Sequence, residues 1–227
     1  MGKPEFFELL AFHLGPFSIG ATVLTTWLLM ALLSGVAWLG TRRLSVASPS
    51  RLQTALEGAL LALQSAIEDA APGHAARLLP FIGTLWLFIA TANLAGLAPG
   101  LRSPTGDLSL TVALAIVVFL AVHWFGIRID GLKAYLKHYL DPNPILLPFH
   151  LLGEITRTRA LAVRLFGNMM SLEMAALLVL LVAGFLAPIP LLMLHIIEAL
   201  VQAYIFGTLA LVYVAGALQS HELHHKD

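Results

Sequence analysis

Residues 149–190 read FHLLGEITRTRALAVRLFGNMMSLEMAALLVLLVAGFLAPIP, and this stretch decides the fold class. No proline occurs between Phe149 and Pro188, so the stretch predicts one helix of about 58 Å at about 1.5 Å per residue. A bilayer core is only about 30 Å thick, so this helix must tilt steeply or leave the membrane. Pro188 and Pro190 then break the helix before a second apolar run. We therefore predict an antiparallel hairpin of two long tilted helices, over residues 146–187 and 190–219.

The composition of the whole chain points to the same class of protein. Of its 227 residues, 59% are apolar and only 11% are charged, whereas soluble domains are about 45–50% apolar and about 25% charged. The absence of cysteine excludes a disulfide scaffold and Cys-zinc chemistry, and the hydrophobicity excludes disorder. A formal net charge of zero gives no support to a nucleic-acid partner. The chain is predicted to be an all-α polytopic membrane protein with a single membrane domain.

Three further apolar stretches are long enough to span a bilayer as helices, over residues 18–40, 79–98 and 108–126. Residues 51–71 differ, because charged residues interrupt apolar positions at helical spacing before Pro72-Gly73. They predict an amphipathic helix, with a plain connector as the alternative. Residues 1–17 are expected to form an interfacial arm and residues 220–227 a polar tail. No cleavable signal peptide is predicted.

The orientation follows from the distribution of Lys and Arg, which accumulate in cytoplasmic connections. With the N-terminus outside, eight of those in the connections and termini lie inside and two lie outside. We therefore predict five membrane segments in a bacterial plasma membrane, with the N-terminus outside and the C-terminus in the cytoplasm.

The other three basic residues, Arg157, Arg159 and Arg164, lie within the first long helix. A central arginine costs about 2.5–3.5 kcal/mol on insertion scales and does not lose its proton. Arg164 is followed by a long apolar run, which predicts a functional role. Arg157 and Arg159 are nearer the inner interface, where snorkelling with Glu154 as an ordinary ion-pair partner is the alternative.

Helical geometry sorts the polar neighbours of Arg164 into two faces. Asn168 lies one turn on and shares its face, and Arg157 lies on that face to within about 20°. Glu173 lies on the opposite side. One helix would thus present a cation to one neighbour and a carboxylate to another.

The last helix carries a polar stripe of its own. His195, Gln202 and Tyr213 lie within about 20° of one line, and Glu198 lies about 60° away from it. Ionisable groups and an amide on one membrane-embedded face indicate a proton or cation path, whereas ordinary buried polar groups are the alternative. In an antiparallel hairpin, Glu173 and His195 could approach each other and form a hydrogen-bonded relay.

Together these motifs resemble subunit a of the F-type ATP synthase, over residues 80–220. The matching segments are Arg164-Leu165-Phe166-Gly167-Asn168-Met169 followed by Glu173, Glu154-Ile155-Thr156-Arg157, the run from His195 through Gln202-Ala203-Tyr204-Ile205-Phe206 to Tyr213, and Ala92-Asn93-Leu94 with Pro99. The short length and Arg157-Thr158-Arg159 further resemble the sodium-associated N-ATPases. Three residues depart from those common in the subunit a family, namely Gly96, Leu172 and Glu198.

The resemblance implies an ion-conducting stator with no catalytic residue, cofactor or metal of its own. Arg164 would face the carboxylate of a rotating ring of c subunits and lower its pKa, so that the ion is released there. Two offset half-channels would let H⁺ or Na⁺ drive rotation. The implied partners are the c-subunit ring, b-type peripheral-stalk subunits, the rest of the complex and the lipid bilayer.

The resemblance also implies roles for the surrounding side chains. Asn168 and Gln202 would position Arg164. Glu173, His195 and Glu198 would line the outer half-channel, with Tyr213 on the same stripe. Glu154, Arg157 and Arg159 would lie near the inner mouth.

Two other functions remain open from the residues alone. A secondary transporter could use the arginines for an anionic substrate, although such folds usually contain an internal repeat and none is evident. His221-Glu222-Leu223-His224-His225 matches the pattern of zinc proteases. It lies within the last seven residues, with no following chain to build a cavity.

Overall fold

The computed structural model describes residues 12–14, 17–42, 44–45, 49–97, 103–131, 147–183 and 188–222. Two three-residue strands, β1 and β2, pair as an antiparallel hairpin before the first helix. Within the described residues, six helices and one buried 3-10 turn at Pro104–Gly106 follow. The bounds of the strands and helices are Phe12–Leu14 (β1), Phe17–Ile19 (β2), Ala21–Thr41 (α1), Arg51–Ala70 (α2), Ala75–Ala95 (α3), Leu108–Asp130 (α4), Leu147–Ala183 (α5) and Pro188–Glu222 (α6).

Five of these helices, all except α2, are long and apolar enough to cross a membrane. The candidate spans are Thr22–Thr41, Ala75–Ala95, Leu108–Arg128, Leu152–Val182 and Pro190–Gly216. The predicted all-α membrane fold with about five membrane segments is therefore confirmed, and the short hairpin of β1 and β2 is the addition to it among the described residues.

Helix α2 is the amphipathic helix that the sequence predicted. It begins after Ser50, whose side chain accepts a hydrogen bond from the backbone N–H of Gln53 and so caps the first turn. Ile67 is buried against the neighbouring helices, whereas Leu56 and Leu61 are exposed. Gly73, with φ of 75°, takes the left-handed conformation that the turn into α3 requires.

Helices α5 and α6 form the predicted hairpin of two long helices. They contain 37 and 35 residues, or about 55 Å and 52 Å at about 1.5 Å per residue. Both exceed the thickness of a bilayer core. The two helices pack against each other, and α6 begins at Pro188.

The core lies where α3 and α4 pack against this hairpin. Helix α3 packs chiefly on α6, and α4 packs chiefly on α5. Helix α1 contacts α3 and the 3-10 turn, and Trp27, Leu28 and Leu39 on its other sides are exposed. The core cluster includes Ile82 and Ile89 of α3, Val118 of α4, Leu165 of α5, and Phe206 and Val214 of α6.

Thr105 in the 3-10 turn is buried among α3, α4 and α5. Non-helical backbone within a membrane protein is tolerated where it is covered by protein. The turn therefore belongs to the core of the bundle and brings polar side chains into it.

Candidate ion-translocation site

Arg164 lies on α5, and its side chain is exposed on the surface of the described chain. The apolar side chains of Val163 and Met170 on the same helix are also exposed. Within the described residues, no hydrogen bond or ion pair occupies the guanidinium. The described residues therefore leave the permanent charge of Arg164 exposed and unpaired on the surface of α5.

Asn168, one turn further along α5, joins the predicted site to α6. Its side-chain Nδ2 donates a hydrogen bond of 2.6 Å to Oε1 of Gln202. Gln202 is only 1% exposed, and its own Nε2 has no partner among the described residues. The structure thus brings together the two amides that sequence reasoning had assigned to the surroundings of Arg164.

The polar stripe of α6 lies on its buried face. His195 is 5% exposed, and its Nε2 has no hydrogen-bond partner within the described part of the chain. Glu198 and Tyr213 are half-buried beside this face. Buried polar atoms without protein partners usually bind water or ions. The His195 and Gln202 nitrogens are thus buried polar groups for which the described residues supply no hydrogen-bond partner.

Nearer the N-terminus of α5, the side chains of Glu154 and Arg157 contact two other helices. The Glu154 carboxylate lies 3.2 Å from Nε2 of His123 on α4, and the Arg157 guanidinium lies 5.7 Å from the centre of the Tyr213 ring on α6. Glu154 and Arg157, an ordinary ion pair in one of the two interpretations of the sequence, thus each contact a different helix. Arg159 is exposed.

Two expectations fall outside what is described. Glu173 lies within α5, but its side chain is not among the described ones, so the relay with His195 stays a prediction. The zinc-protease pattern also lies outside them, in the side chains of His221 and Glu222 and in residues 223–227. Among the described residues, no group of three or more His, Asp or Glu side chains could hold a metal ion.

Comparison with known protein families decides the family. The model of the family described as ATP synthase A chain matches residues 23–215. This range covers most of α1 through most of α6 and includes Arg164, Asn168 and Gln202. The chain belongs to the ATP synthase A chain family.

Relatives from three bacteria support this ATP synthase A chain membership over nearly the full length. ATP synthase subunit a 2 of Pelobacter propionicus is 65% identical over 211 residues, covering 93% of this chain and 92% of the relative. ATP synthase subunit a 1 of Hahella chejuensis is 66% identical, covering 91% and 88%. ATP synthase subunit a of Legionella pneumophila (strain Paris) is 55% identical, covering 98% and 97%.

In this member of the ATP synthase A chain family, sequence reasoning assigned no role to Asn93, although it lies in a segment that resembles the family, and did not identify Ser103 or Thr105. Asn93 of α3 donates a hydrogen bond of 3.1 Å from Nδ2 to the carbonyl oxygen of Ala199 on α6. The Oδ1 of Asn93 accepts a bond of 2.6 Å from Thr105, whose Oγ1 lies 2.7 Å from Oγ of Ser103. Ser103 and Thr105 lie outside the spans, in a stretch that resembles a loop, so no pattern marked them.

His123 was also missed, although a signal for it was present. It is an ionisable residue within the apolar stretch 108–126. Such residues usually face the bundle interior and have a partner there. That rule would have predicted a partner such as Glu154.

Proposed function

We propose that this chain is the ion-conducting stator subunit of a rotary F-type ATP synthase. It provides two half-channels and an arginine, Arg164, that faces the carboxylate of a c-subunit ring. Transmembrane flow of H⁺ or Na⁺ is thereby coupled to ring rotation and to ATP synthesis or hydrolysis. The chain itself is a non-catalytic membrane subunit, and the chemistry on ATP takes place elsewhere in the complex.

The observation that carries the proposal is the exposed Arg164 guanidinium, which lacks a partner among the described residues. A cation close to a carboxylate favours its charged form. Each ring carboxylate that reaches Arg164 therefore releases its ion. Because arginine keeps its proton, the same charge blocks ions from passing directly between the half-channels.

The surrounding residues support two separated paths. Glu173, His195 and Glu198 line the outer half-channel, while Asn168 and Gln202 position Arg164 through their hydrogen bond. Glu154, Arg157 and Arg159 lie at the inner mouth, with Tyr213 beneath Arg157. A membrane potential contributes about 2.3 kcal/mol per charge per 100 mV, which gives rotation its direction.

The proposed assembly has the c-subunit ring against the Arg164 surface and b-type stalk subunits elsewhere on the chain. We place it in the bacterial plasma membrane with the N-terminus outside. Arg42 lies 4.0 Å from the centre of the Trp38 ring and Arg128 lies 5.4 Å from that of Trp124. Arginine and tryptophan are typical of membrane interfaces, and these pairs support an inner boundary at the ends of α1 and α4.

The test is ATP-driven cation uptake in inverted vesicles that carry the assembled complex. Arg164→Ala is compared with wild type at matched assembly, with sodium present and absent. We expect uptake to fall by roughly a hundredfold or more, because a charge acting in the transfer step is removed. The matched control is Leu120→Ala, an exposed apolar side chain on α4, which should leave uptake at the wild-type rate.

Sodium dependence of the wild-type uptake would identify the coupling ion and bears on the resemblance to the N-ATPases. Uptake that survives Arg164→Ala in an assembled complex would contradict the proposed role of the arginine. Uptake of a solute without co-purification of an ATPase would instead favour a secondary transporter.

A further inference from the structure

Three side chains form a buried chain of hydrogen bonds between α3, the 3-10 turn and α6. Ser103, Thr105 and Asn93 are all buried. Ser103 Oγ lies 2.7 Å from Thr105 Oγ1 and 3.0 Å from the carbonyl oxygen of Ala92. This series of hydrogen bonds ends on the backbone of α6, where Asn93 donates to the Ala199 oxygen.

Two of the donors in this hydrogen-bonded chain, Thr105 and Asn93, point towards α6. A hydroxyl group has one proton to donate, and Thr105 donates its proton to Oδ1 of Asn93. Ser103 likewise donates its proton to the Ala92 oxygen, so the 2.7 Å contact between the two hydroxyl groups shares one of these two protons, and either oxygen can be the donor. Donation therefore runs from Thr105 to Asn93 and from Asn93 to the α6 backbone.

This arrangement suits a mechanical role better than proton transfer. The amide of Asn93 occupies the middle of the chain, and no member of it titrates near neutral pH. Both hydroxyl protons and one amide proton of Asn93 are committed to partners. A chain of this kind fixes the relative positions of the groups at its two ends.

The last hydrogen bond of this series, to the Ala199 oxygen, lies at the centre of the polar stripe of α6. Ala199 follows Glu198 directly, lies one turn after His195 and lies three residues before Gln202. All but Glu198 belong to the buried face of α6. A hydrogen bond to the Ala199 oxygen therefore sets the height and rotation of these three polar side chains together.

Gly96 is the residue that allows Ser103 to reach this position. A Cβ at position 96 would lie 2.8 Å from Cβ of Ser103 and 3.3 Å from its backbone nitrogen. Real Cβ atoms do not approach this closely, so a larger residue would displace the Ser103 backbone. The glycine thus belongs with the hydrogen-bonded chain that starts at Ser103.

We propose that Ser103, Thr105 and Asn93 are positioning residues that hold α6 at Ala199 and thereby tune how the outer half-channel binds the coupling cation. The inference rests on the proposed function, because it assigns these residues to one half-channel of the stator. The coupling cation concerned is the one that leaves through the outer half-channel during ATP-driven pumping.

The experiment measures how cation in the vesicle lumen opposes ATP-driven uptake. Inverted vesicles with the assembled complex are loaded with graded lumenal H⁺ or Na⁺, with the membrane potential collapsed. The readouts are the maximal uptake rate and the lumenal concentration that halves it. The second readout reports on the outer half-channel and does not change when less complex assembles.

Thr105→Val keeps the shape of the side chain and removes its hydroxyl. We expect the half-inhibiting lumenal concentration to shift about fivefold or more, since one buried hydrogen bond is lost and Asn93 is left with an unsatisfied oxygen. Gly96→Ala should shift it in the same direction. Thr105→Ser, which restores the hydroxyl, should return it to the wild-type value.

The matched control is Thr111→Val. Thr111 is as fully buried as Thr105, but its hydroxyl bonds the carbonyl of Leu108 in its own helix. We expect this variant to keep the wild-type half-inhibiting concentration. An equal value for Thr105→Val and Thr111→Val would overturn the inference.

If Thr105→Val does not assemble, Ser103→Ala provides a second test of the positioning role. Ser103→Ala removes a single oxygen atom, and it should shift the half-inhibiting concentration in the same direction as Gly96→Ala. A wild-type value for Ser103→Ala would overturn the inference. Failure of the proposed function is distinguishable, because it would appear as absent uptake in wild type or as uptake retained in Arg164→Ala.

Discussion

Asn168 and Gln202 form the hydrogen bond that links the arginine helix to the polar stripe of α6. Because their coupling is direct, a double-mutant cycle can measure it. We expect Asn168→Ala and Gln202→Ala to destabilise the purified subunit by less in combination than the sum of the single effects, with a coupling of about 0.5–1.5 kcal/mol. Thermal or denaturant unfolding in detergent measures it.

The same cycle built on Asn168 and Gln53 provides the control. Gln53 bonds Ser45 and Glu57 near α2, and it shares no partner with Asn168. Its coupling to Asn168 should be within about 0.5 kcal/mol of zero. Equal coupling in both cycles would contradict a direct bond between Asn168 and Gln202.

Asp107 is a second residue whose contribution to stability can be tested by substitution. It caps α4, where Ser109 donates bonds of 2.9 Å and 2.8 Å to Oδ1 and Thr22 of α1 donates one of 2.8 Å to Oδ2. Burial raises the pKa of Asp107, but these hydrogen bonds lower it by more, so the pKa lies below its ordinary value of 3.8. The carboxylate therefore contributes stability above pH 3.8 that is lost as the pH falls through the lowered pKa.

Asp107→Ala should accordingly cost about 0.5–2 kcal/mol of unfolding free energy at about pH 6, the usual range for a helix cap. This cost should shrink as the pH falls well below 3.8, because the wild-type carboxyl then becomes protonated and loses the charge that its hydrogen bonds stabilise. Unfolding of the purified subunit at about pH 6 and about pH 3 measures both values. Asp107→Asn keeps an oxygen acceptor without the charge, and its stability relative to Asp107→Ala should not vary over this range. A cost that is identical at both pH values for Asp107→Ala would contradict the assignment.

Among the elements, the packing of α3 on α6 depends on a close approach at Gly207. A Cβ at position 207 would overlap the indole ring of Trp86, which also stacks on Tyr204 with ring centres 5.7 Å apart. Gly207→Ala should therefore destabilise the subunit by about 1–3 kcal/mol, as overpacked cores usually do. Thermal unfolding and the amount of assembled complex are the measurements.

Gly216 on the same helix is the matched control, because a Cβ there meets nothing within 4 Å. Gly216→Ala should be neutral or slightly stabilising, since alanine favours the helix. A smaller residue in place of Trp86 should restore stability to Gly207→Ala. If Gly207→Ala and Gly216→Ala behave alike, the close packing of α3 on α6 is not what limits stability.

For the whole molecule, the proposed orientation predicts which side of the membrane each connection faces. The chain contains no cysteine, so single cysteines can be introduced without a background. Leu44→Cys, exposed between α1 and α2, should react with a membrane-impermeant maleimide in inverted vesicles only. Leu108→Cys, exposed at the start of α4, should react in right-side-out vesicles only. Labelling of both positions from one side would contradict the topology.

Much of the fold could be predicted from local sequence. The spans of α3 and α4 carry long apolar runs, and the length of α5 follows from the absence of proline up to Pro188. These features depend on the transfer of neighbouring side chains into lipid, so they need no knowledge of distant residues. The faces of α5 and α6 could be predicted for the same reason, and Gln202 and His195 are indeed buried on one face.

The site was predicted less completely. Asn168 and Gln202 shared a proposed role, and the structure joins them across 34 residues of chain. Glu154, for which an ordinary ion pair with Arg157 was one alternative, lies beside His123 of α4. Helical spacing identifies candidates on one helix and carries no information about a neighbouring helix that competes for the same group.

The sequence alone thus determined that this chain is a bundle of membrane-spanning helices with a charged arginine in an apolar helix, because hydropathy and helical period are local properties. Only the tertiary structure decided that Asn93 reaches Ala199, 106 residues away, and that Thr105 and Ser103 lie buried behind it. Those bonds exist because packing of α3 on α6 removes water from the amide of Asn93, which must then find a protein partner. Which partner it finds depends on the three-dimensional arrangement of the helices.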